Sequence, residues 1–351
     1  MTSSSKNLAR LRLDFYESGL GDTIVITFPS GGVGLVDAHP SQHADRPTIM
    51  DILHGKSLHF VCLTHPHADH GIDLVPVLQQ HPSIAEFWYT IFDIPAFIYG
   101  AEQTVNFPSP MREFAAQMNQ DWGEFFFDLL YAVVDRKIPR HLLRSDSQPK
   151  LIDGVEVHCI GPDESTQNNF FSAYRDKLAN PQVKVPDPNT LSAILALKFG
   201  RAVVLLGADA LKANWANATK NYRKRGLPKA CVLKVPHHGA RNSFDFQKNT
   251  DTYLDICSHK PDVKAVLFAG DAKHPDLSVY EKLRHRAEVF CLSNGLKGRQ
   301  IGANPLRIVI PGARAVSPAP VCNPVVSFEI DEDANITTCA SRSCEACGLA
   351  V

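Results

Sequence analysis

Three histidines and an aspartate fall within six positions of the segment LTHPHADHG, at residues 63–71. His65 and His67 are two residues apart, so on an extended turn both imidazoles can face one metal ion. Asp69 and His70 follow at a spacing that can serve a second ion beside it. Hydrolytic metal pairs need such crowding, because two ions roughly 3.5–4 Å apart together activate water and hold a leaving oxygen. The segment therefore indicates metal-dependent hydrolysis.

Two further strand ends carry ligands that such a pair would still need. Asp209 ends an apolar strand in VVLLGADA, and His237 and His238 end another in LKVPHHG. Taken singly, Asp209 could be a helix cap and HPHADH a chance cluster on a turn. The three segments share one order, strand and then ligand, and together they favour the metal site.

The strand and helix patterns predict how these segments are positioned. Strand-like runs such as LRLDFYES, SLHFVCL, VEVHCI, ILALKF and KAVLFAG fall into two halves of the chain, with helical patterns between them. We therefore predict an α/β (α+β) fold in which two packed β-sheets carry helices outside. Polar residues at the strand ends are expected to gather along one edge, where such folds place their chemistry.

The composition is that of an ordinary globular protein. The chain has 351 residues, of which 44% are hydrophobic and 21% charged, with a net charge of −1. This balance argues against a protein that coats DNA through a basic surface, although not against an enzyme that cuts it. Without a signal-peptide pattern or a run of ~20 apolar residues, we expect a cytoplasmic protein with no membrane partner.

The histidine segment matches the H-x-H-x-D-H signature of the metallo-β-lactamase fold. More narrowly, the order of the segments resembles the hydrolase domain of ComEC-type competence proteins and its free-standing relatives. The resemblance covers residues from about 11 to 295, except near 94–150, and rests on GLGDTIVITFPSGGVGLVDAH, LTHPHADHG, NTLSAILALKFGRAVVLLGADA, LKVPHHGARNS and HPDLSVYEKL. It implies the αββα sandwich of that fold, with a helical insertion.

The resemblance also implies roles for the candidate ligands. His65 and His67 would hold one metal and Asp69 and His70 the other, with Asp209 bridging them. At least one of His237 and His238 would join the Asp69 side, and the sequence does not decide which.

Around these ligands the resemblance places two more aspartates. Asp37 matches a strand-end aspartate that orients a ligand histidine. Asp22 lies in the family's GxGD turn, where a role near the site and turn capping both remain open.

Three positions depart from the wider pattern. A third histidine for the first metal has only one strand-like candidate, His158, which could equally be a core residue. Asn189 is the position that the ComEC-like group offers instead. His39 stands where relatives have a small residue and could be an extra ligand or a substrate contact, whereas Ala240 replaces a serine.

The expected reaction is hydrolysis by a water that two divalent ions, Zn or Mn, activate. Asp69 could position this water, and His274 could protonate the leaving group or be only a loop residue. The resemblance implies a phosphodiester substrate, such as DNA or RNA. The alternatives are an ester, thioester or lactone hydrolase, and a metal-binding scaffold with little catalysis. Basic residues near the rim, among them Lys234 and Arg241, could track a phosphate backbone.

We predict one metallo-β-lactamase-fold domain over 8–315, containing a helical, aromatic-rich insertion at 94–150. That insertion either packs on the body or offers a lid or a protein-binding surface. A cysteine-containing tail would follow at 316–351, in which a structural zinc site could form from Cys322, Cys339, Cys344 and Cys347. Cysteines inside apolar runs are expected to be buried free thiols, namely Cys62, Cys159, Cys231 and Cys291.

Overall fold

Two β-sheets form the centre of the protein. A computed structural model describes residues 9–19, 21–41, 46–91, 124–180, 182–247, 251–268, 274–292 and 325–340. The first sheet consists of β1 (Leu11–Tyr16), β2 (Ile24–Thr27), β3 (Val33–Val36), β4 (Leu58–Cys62), β5 (Phe87–Tyr89), β6 (Arg140–Leu142), β14 (Val325–Ile330) and β15 (Ile336–Ala340). Their order is β15-β14-β1-β2-β3-β4-β5-β6.

The second sheet is built from the middle of the chain. It consists of β7 (Lys150–Ile152), β8 (Val155–Gly161), β9 (Ile194–Phe199), β10 (Ala202–Leu206), β11 (Val232–Lys234), β12 (Lys264–Phe268) and β13 (Glu288–Leu292). Their order is β13-β12-β11-β10-β9-β8-β7. The four strands from β10 to β13 are mutually parallel, so their carboxyl ends lie at one edge.

Apolar side chains leave each sheet on both faces. In β4, Phe60 and Cys62 belong to the core between the sheets, whereas Val61 belongs to the core beneath the helices. This alternation follows from the two-residue period of a strand. Phe60 stacks on Trp88 of β5 with ring centroids 3.8 Å apart. Burial of apolar surface on both faces fixes the sheets in place, because a one-residue slip would exchange the two sets.

Helices cover both outer faces. Those on the first sheet are α1 (Ile49–Leu53), α3 (Leu74–Gln80), α4 (Glu124–Asp135) and α5 (Glu164–Ala179), and those on the second are α6 (Lys212–Lys224) and α7 (Leu277–Arg286). A short helix, α2 (Ala68–Gly71), lies inside the histidine segment. The predicted sandwich of two sheets between helical layers is confirmed. None of the helices in the described part of the chain has the length and apolar character needed to cross a bilayer.

The segment predicted as an insertion contains more than a helix. Helix α4 lies where the sequence predicts helical spacing, and its Phe125 and Phe126 are buried against the body. Strand β6 then extends the first sheet beside β5, and Lys150 begins β7 in the second. The end of the 94–150 segment is therefore part of the sandwich, because its short strands close one edge of each sheet. Residues 92–123 lie outside the described part.

The segment predicted as a tail also contributes to the first sheet. Strand β14 pairs antiparallel with β1, with Leu11 opposite Ile330, and β15 pairs with β14. The apolar alternation of VVSFEI, which buries Val326, Phe328 and Ile330, accounts for this placement. The sequence-based division at residue 316 did not anticipate these two strands.

The cysteines follow the sequence prediction with one exception. Cys62, Cys159 and Cys231 are buried free thiols, whereas Cys291 is disulfide-bonded, contrary to the prediction. Cys339 is an exposed free thiol on β15. Its proposed zinc partners Cys322, Cys344 and Cys347 lie outside the described residues, so the structural zinc stays a prediction.

Candidate metal centre

The candidate site lies where strands of both sheets end. Neighbours β3 and β4 are parallel, as are β10, β11 and β12, so their carboxyl ends bring several loops together. The first sheet supplies Asp37 and the histidine segment, and the second supplies Asp209 and the histidine pair at 237–238. The predicted order of strand and then ligand thus places all seven candidate ligands at one edge.

The loop after β4 aims two imidazoles at one point. His65 Nε2 lies 3.1 Å from His67 Nδ1. The other ring nitrogen of His65, Nδ1, lies 3.1 Å from the Thr64 hydroxyl, which itself donates to Asp37. This chain of hydrogen bonds places the His65 proton on Nδ1. The lone pair of Nε2 is therefore free to bind a cation together with His67.

Asp37 fixes the orientation of His70. Its carboxylate accepts from the Thr64 amide at 2.8 Å, from the Thr64 hydroxyl at 2.6 Å and from His70 Nδ1 at 2.7 Å. The proton of His70 is thereby held on Nδ1, and Nε2 points away from Asp37. Carboxylate–histidine pairs of this kind orient metal ligands in many sites.

Asp209 lies between the histidines of the two sheets. Its Oδ1 is 3.5 Å from His70 Nε2, and its Oδ2 is 3.5 Å from His238 Nε2 and 3.8 Å from His237 Nε2. Because His238 Nδ1 donates to the Phe268 carbonyl at 3.1 Å, its Nε2 carries the free lone pair. The two histidines, which the sequence does not distinguish, differ here. Of the two, only His238 belongs to a ligand cluster found among the described residues, together with Asp69 and His70.

Backbone strain is concentrated in the same loops. Asp37, Ala208, His237 and His238 have φ angles of 54°, 42°, 46° and 52°, a left-handed region that residues other than glycine rarely adopt. Each such residue costs on the order of 1–3 kcal/mol and persists only where surrounding contacts enforce it. Strain of this kind is typical of functional sites.

Several buried polar atoms at the site have no hydrogen-bond partner among the described residues. They include His70 Nε2, His238 Nε2 and Asp209 Oδ1. Such atoms are rare in folded proteins, since each carries a desolvation cost. Three groups of ligand atoms within 4.8 Å of one another share His70 among the described residues. One is completed by His65 and Asp209, one by Asp69 and His238, and one by Asp22 and Asp37. Imidazole and carboxylate donors with unused lone pairs fit divalent metal ions.

The protonation states reflect burial and the nearby carboxylates. Burial holds the pKa of His65 well below its usual value. Burial acts in the same direction on His70, but the carboxylates of Asp209 and Asp37 outweigh it and raise its pKa well above the usual value. Burial would raise the pKa of Asp209, yet the charges of His238, His70 and Lys234 lower it. Asp209 is therefore an anion in the folded protein.

The turn before β2 closes the site from the first sheet. A Cβ atom on Gly21 would lie 1.6 Å from the Asp69 carbonyl oxygen, so the turn and α2 touch at this glycine. The next residue, Asp22, is buried and forms an ion pair with Lys234. The alternative of a role near the site is thus the one that the position of Asp22 supports.

Lys234 and Thr64 are site residues that sequence reasoning missed. Lys234 was expected at the rim, tracking a phosphate backbone, but its side chain is fully buried. That expectation is wrong, since the ammonium faces carboxylates and not solvent. A lysine inside the apolar strand VLKV was the available signal, because such a side chain is buried only with a partner. Thr64 carried no signal of its own beyond its place before His65.

The remaining predicted residues fall at different distances from the ligands. His158 places its ring nitrogens 3.1 Å from Glu156 and 3.2 Å from Arg225, so it is engaged away from the centre. His39 Nδ1 donates to the Ser18 carbonyl at 2.6 Å and does not join the ligand clusters found among the described residues. The ring of His274 lies 5.7 Å from that of His237.

Asn189 lies in a 3₁₀ turn over Pro188–Leu191, directly before β9. The Ala193 amide donates to the Thr64 carbonyl at 2.9 Å, which places this segment beside the histidine loop. The side-chain oxygen of Asn189 is buried and has no hydrogen-bond partner among the described residues. It is therefore an oxygen with unused lone pairs in the segment that lies beside the histidine loop.

Comparisons with known proteins give structural likeness alone. No family model matches the chain, and no curated protein matches it. Among solved structures, a mutant of the CmlA beta-hydroxylase is 14% identical with a TM-score of 0.45, covering 80% of this chain and 52% of that one. Igni18, a metallo hydrolase from Ignicoccus hospitalis, is 11% identical with a TM-score of 0.36, covering 81% and 82%. A diphosphatase of the PhnP family is 11% identical with a TM-score of 0.38, covering 80% and 94%. The chain spans about half the length of the hydroxylase.

Proposed function

We propose that this protein is a metal-dependent hydrolase that cleaves phosphodiester bonds with two divalent ions, Zn or Mn. The observation that carries the proposal is the convergence, from both sheets, of buried imidazole and carboxylate atoms that have no hydrogen-bond partner in the described part of the chain. His65 and His67 would hold one ion, with Asn189 in place of a third histidine. Asp69, His70 and His238 would hold the other, and Asp209 lies where it could serve both.

When bound, ions at this site activate water and stabilise charge on substrate oxygens. The protein's side chains orient the ligands and transfer protons. Asp37 keeps the proton of His70 on Nδ1 throughout, so His70 cannot turn. Asp69, whose side chain is 36% exposed, accepts a proton from the attacking water. His274 donates a proton to the leaving oxygen from its place beside His237.

Substrate reaches the site from the side of Asp69 and His237. These side chains are 36% and 15% exposed, whereas those of His70 and Asp209 are at most 4% exposed. The scissile bond therefore approaches the exposed side of the ligand cluster, while Asp22, Asp37 and Asp209 on the other side stay shielded from solvent.

Charge favours a phosphodiester over a neutral ester. Asp22, Asp37, Asp69 and Asp209 contribute four negative charges, against which two divalent ions and the Lys234 ammonium leave one net positive charge. In a low-dielectric site this balance attracts an anionic substrate and stabilises the extra charge of a pentacoordinate phosphorus. A neutral ester or lactone would gain less from it.

The test is hydrolysis by metal-reconstituted protein of bis-p-nitrophenyl phosphate, single- and double-stranded DNA, RNA, p-nitrophenyl acetate and a lactone. The double variant Asp69→Ala/His70→Ala removes two proposed ligands, and His259→Ala, an exposed histidine away from the cluster, is the matched control. We expect phosphodiester cleavage that His259→Ala retains and the double variant loses.

Metal bound in stoichiometric amount without cleavage of any phosphodiester would refute the substrate class. Ester or lactone hydrolysis in the same panel would then identify the alternative hydrolase. Failure of the wild-type protein to bind metal would refute the metal centre itself.

A further inference from the structure

Lys234 is an ammonium group sealed inside the protein. It is the last residue of β11, its side chain is 0% exposed, and it lies over the Phe268 ring at 5.7 Å. A buried lysine is costly unless carboxylates or carbonyls surround it. Such a residue has a role that involves its neighbours, because neither solvent nor substrate reaches it.

The neighbours of the ammonium come from two loops, the turn before β2 and the loop after β10. It forms an ion pair with Asp22, donates to the Ala208 carbonyl at 2.9 Å, and lies 3.5 Å from Asp209 Oδ1. The hydrogen bond to Ala208 and the ion pair with Asp22 hold the ammonium in place. Asp209 Oδ1, at 3.5 Å, lies close enough to be attracted by the charge without accepting a hydrogen bond.

The contact with Ala208 bears directly on Asp209. Ala208 adopts a left-handed backbone conformation, and its carbonyl also accepts from the His237 amide at 2.9 Å. Two donors thus hold the strained peptide from which the Asp209 side chain departs. With Oδ1 drawn towards the ammonium, Oδ2 is left facing His238.

We propose that Lys234 is a positioning residue that orients Asp209 for metal binding, an inference that rests on the function proposed above. The ammonium acts before any metal arrives. It compensates the charge of the buried aspartates and fixes both the Asp209 carboxylate and the bend at Ala208. Asp22 completes the arrangement by anchoring the ammonium to the first sheet, so the site is assembled across both sheets in advance.

The experiment compares Mn²⁺ binding by calorimetry in the wild type, Lys234→Met and the double variant Asp22→Asn/Lys234→Met. Methionine keeps the length of the side chain without its charge, but it leaves Asp22 buried and uncompensated, so the single variant will unfold more easily. The double variant removes both charges of the pair. Lys264→Met is the matched control, because that lysine pairs with Glu288 at the opposite end of the neighbouring strand β12.

We expect the double variant to regain most of the thermal stability that the single variant loses, yet to bind Mn²⁺ at least tenfold more weakly than the wild type. Lys264→Met should bind Mn²⁺ as the wild type does. Wild-type affinity in the double variant would overturn the inference, since charge compensation of Asp22 would then be the whole role of Lys234. A wild type that binds neither Mn²⁺ nor Zn²⁺ would overturn the proposed function, and this inference with it. The two failures are distinguishable, because failure of the proposed function shows in the wild type and failure of this inference shows in the double variant.

Discussion

Replacing Gly21 with alanine tests how closely the turn before β2 positions Asp69. The added Cβ would lie 1.6 Å from the Asp69 carbonyl oxygen and 2.7 Å from the Cβ of His39. Since real Cβ atoms essentially never approach closer than 3.0 Å, the turn and the first residues of α2 must separate by about 1.4 Å. The obstacle is backbone, so no side-chain rotation relieves it.

The expected consequence is loss of activity greater than loss of stability. A shift of ~1 Å in a catalytic group can cost roughly 100-fold in rate, whereas overpacking typically costs about 1–3 kcal/mol. Gly21→Ala should therefore stay folded at 25 °C, bind the metal near Asp69 more weakly and lose about two orders of magnitude in kcat. Thermal denaturation, metal analysis and phosphodiester hydrolysis measure the three effects.

Gly154→Ala is the matched control. Gly154 has a positive φ of 82°, unlike Gly21, and a Cβ atom there meets nothing within 4 Å. The Gly154→Ala substitution should lower the free energy of unfolding by about 1 kcal/mol through backbone strain and leave activity unchanged. If Gly21→Ala kept full metal content and a kcat within about twofold of the wild type, the turn would not position Asp69, and this reasoning would be refuted.

Three further perturbations separate the parts of the site and of the core. Asp37→Asn removes the charge that faces His70 and should weaken metal binding by about 10–100-fold in a chelator competition, while unchanged affinity would contradict its orienting role. Burial lowers the pKa of His65, His67 and His237, so the unfolded chain binds protons near pH 6.5 that the folded chain does not. The raised pKa of His70 offsets only one of these three, so the free energy of unfolding of metal-free protein should fall as the pH falls below 6.5. Melting temperatures measured in EDTA at pH 7.5 and 5.5 report this effect, and His65→Asn should reduce the difference between them. Equal melting temperatures at the two pH values would contradict the prediction. Burial raises the pKa of Cys159 and Cys257 to about 12, so iodoacetamide at pH 8 should label neither until the protein unfolds, which peptide mass spectrometry can follow.

The sequence predicts the positions of the candidate ligands well wherever they follow a strand directly. The segments LTHPHADHG and LKVPHHG carry both the apolar run and the ligands, so a local pattern suffices to bring them to one edge. The fold class follows from the same strand and helix periodicities. The sequence does not decide between His237 and His238, because that choice depends on the carbonyl of Phe268, thirty residues from His238 on a neighbouring strand.

Features that depend on distant partners were missed or misassigned. Lys234 was expected at the rim because its partner Asp22 belongs to the other sheet, and no local pattern connects the two. Strands β14 and β15 were counted as tail because their partner β1 lies at the far end of the sequence. Short edge strands such as β6, with three residues, are defined by the strand beside them more than by their own sequence.

The pairing of β1 with β14 has a consequence for how the protein is made. Arg10 and Glu329, which form an ion pair beside these strands, are 319 residues apart. At roughly 5–20 residues per second, a ribosome needs about 15–60 s to synthesise the chain between them. Throughout that time the nascent β1 lacks its neighbour and presents an open hydrogen-bonding edge. The first sheet can therefore be completed only late in translation, and this interval is when the chain is most exposed to aggregation and most in need of chaperones.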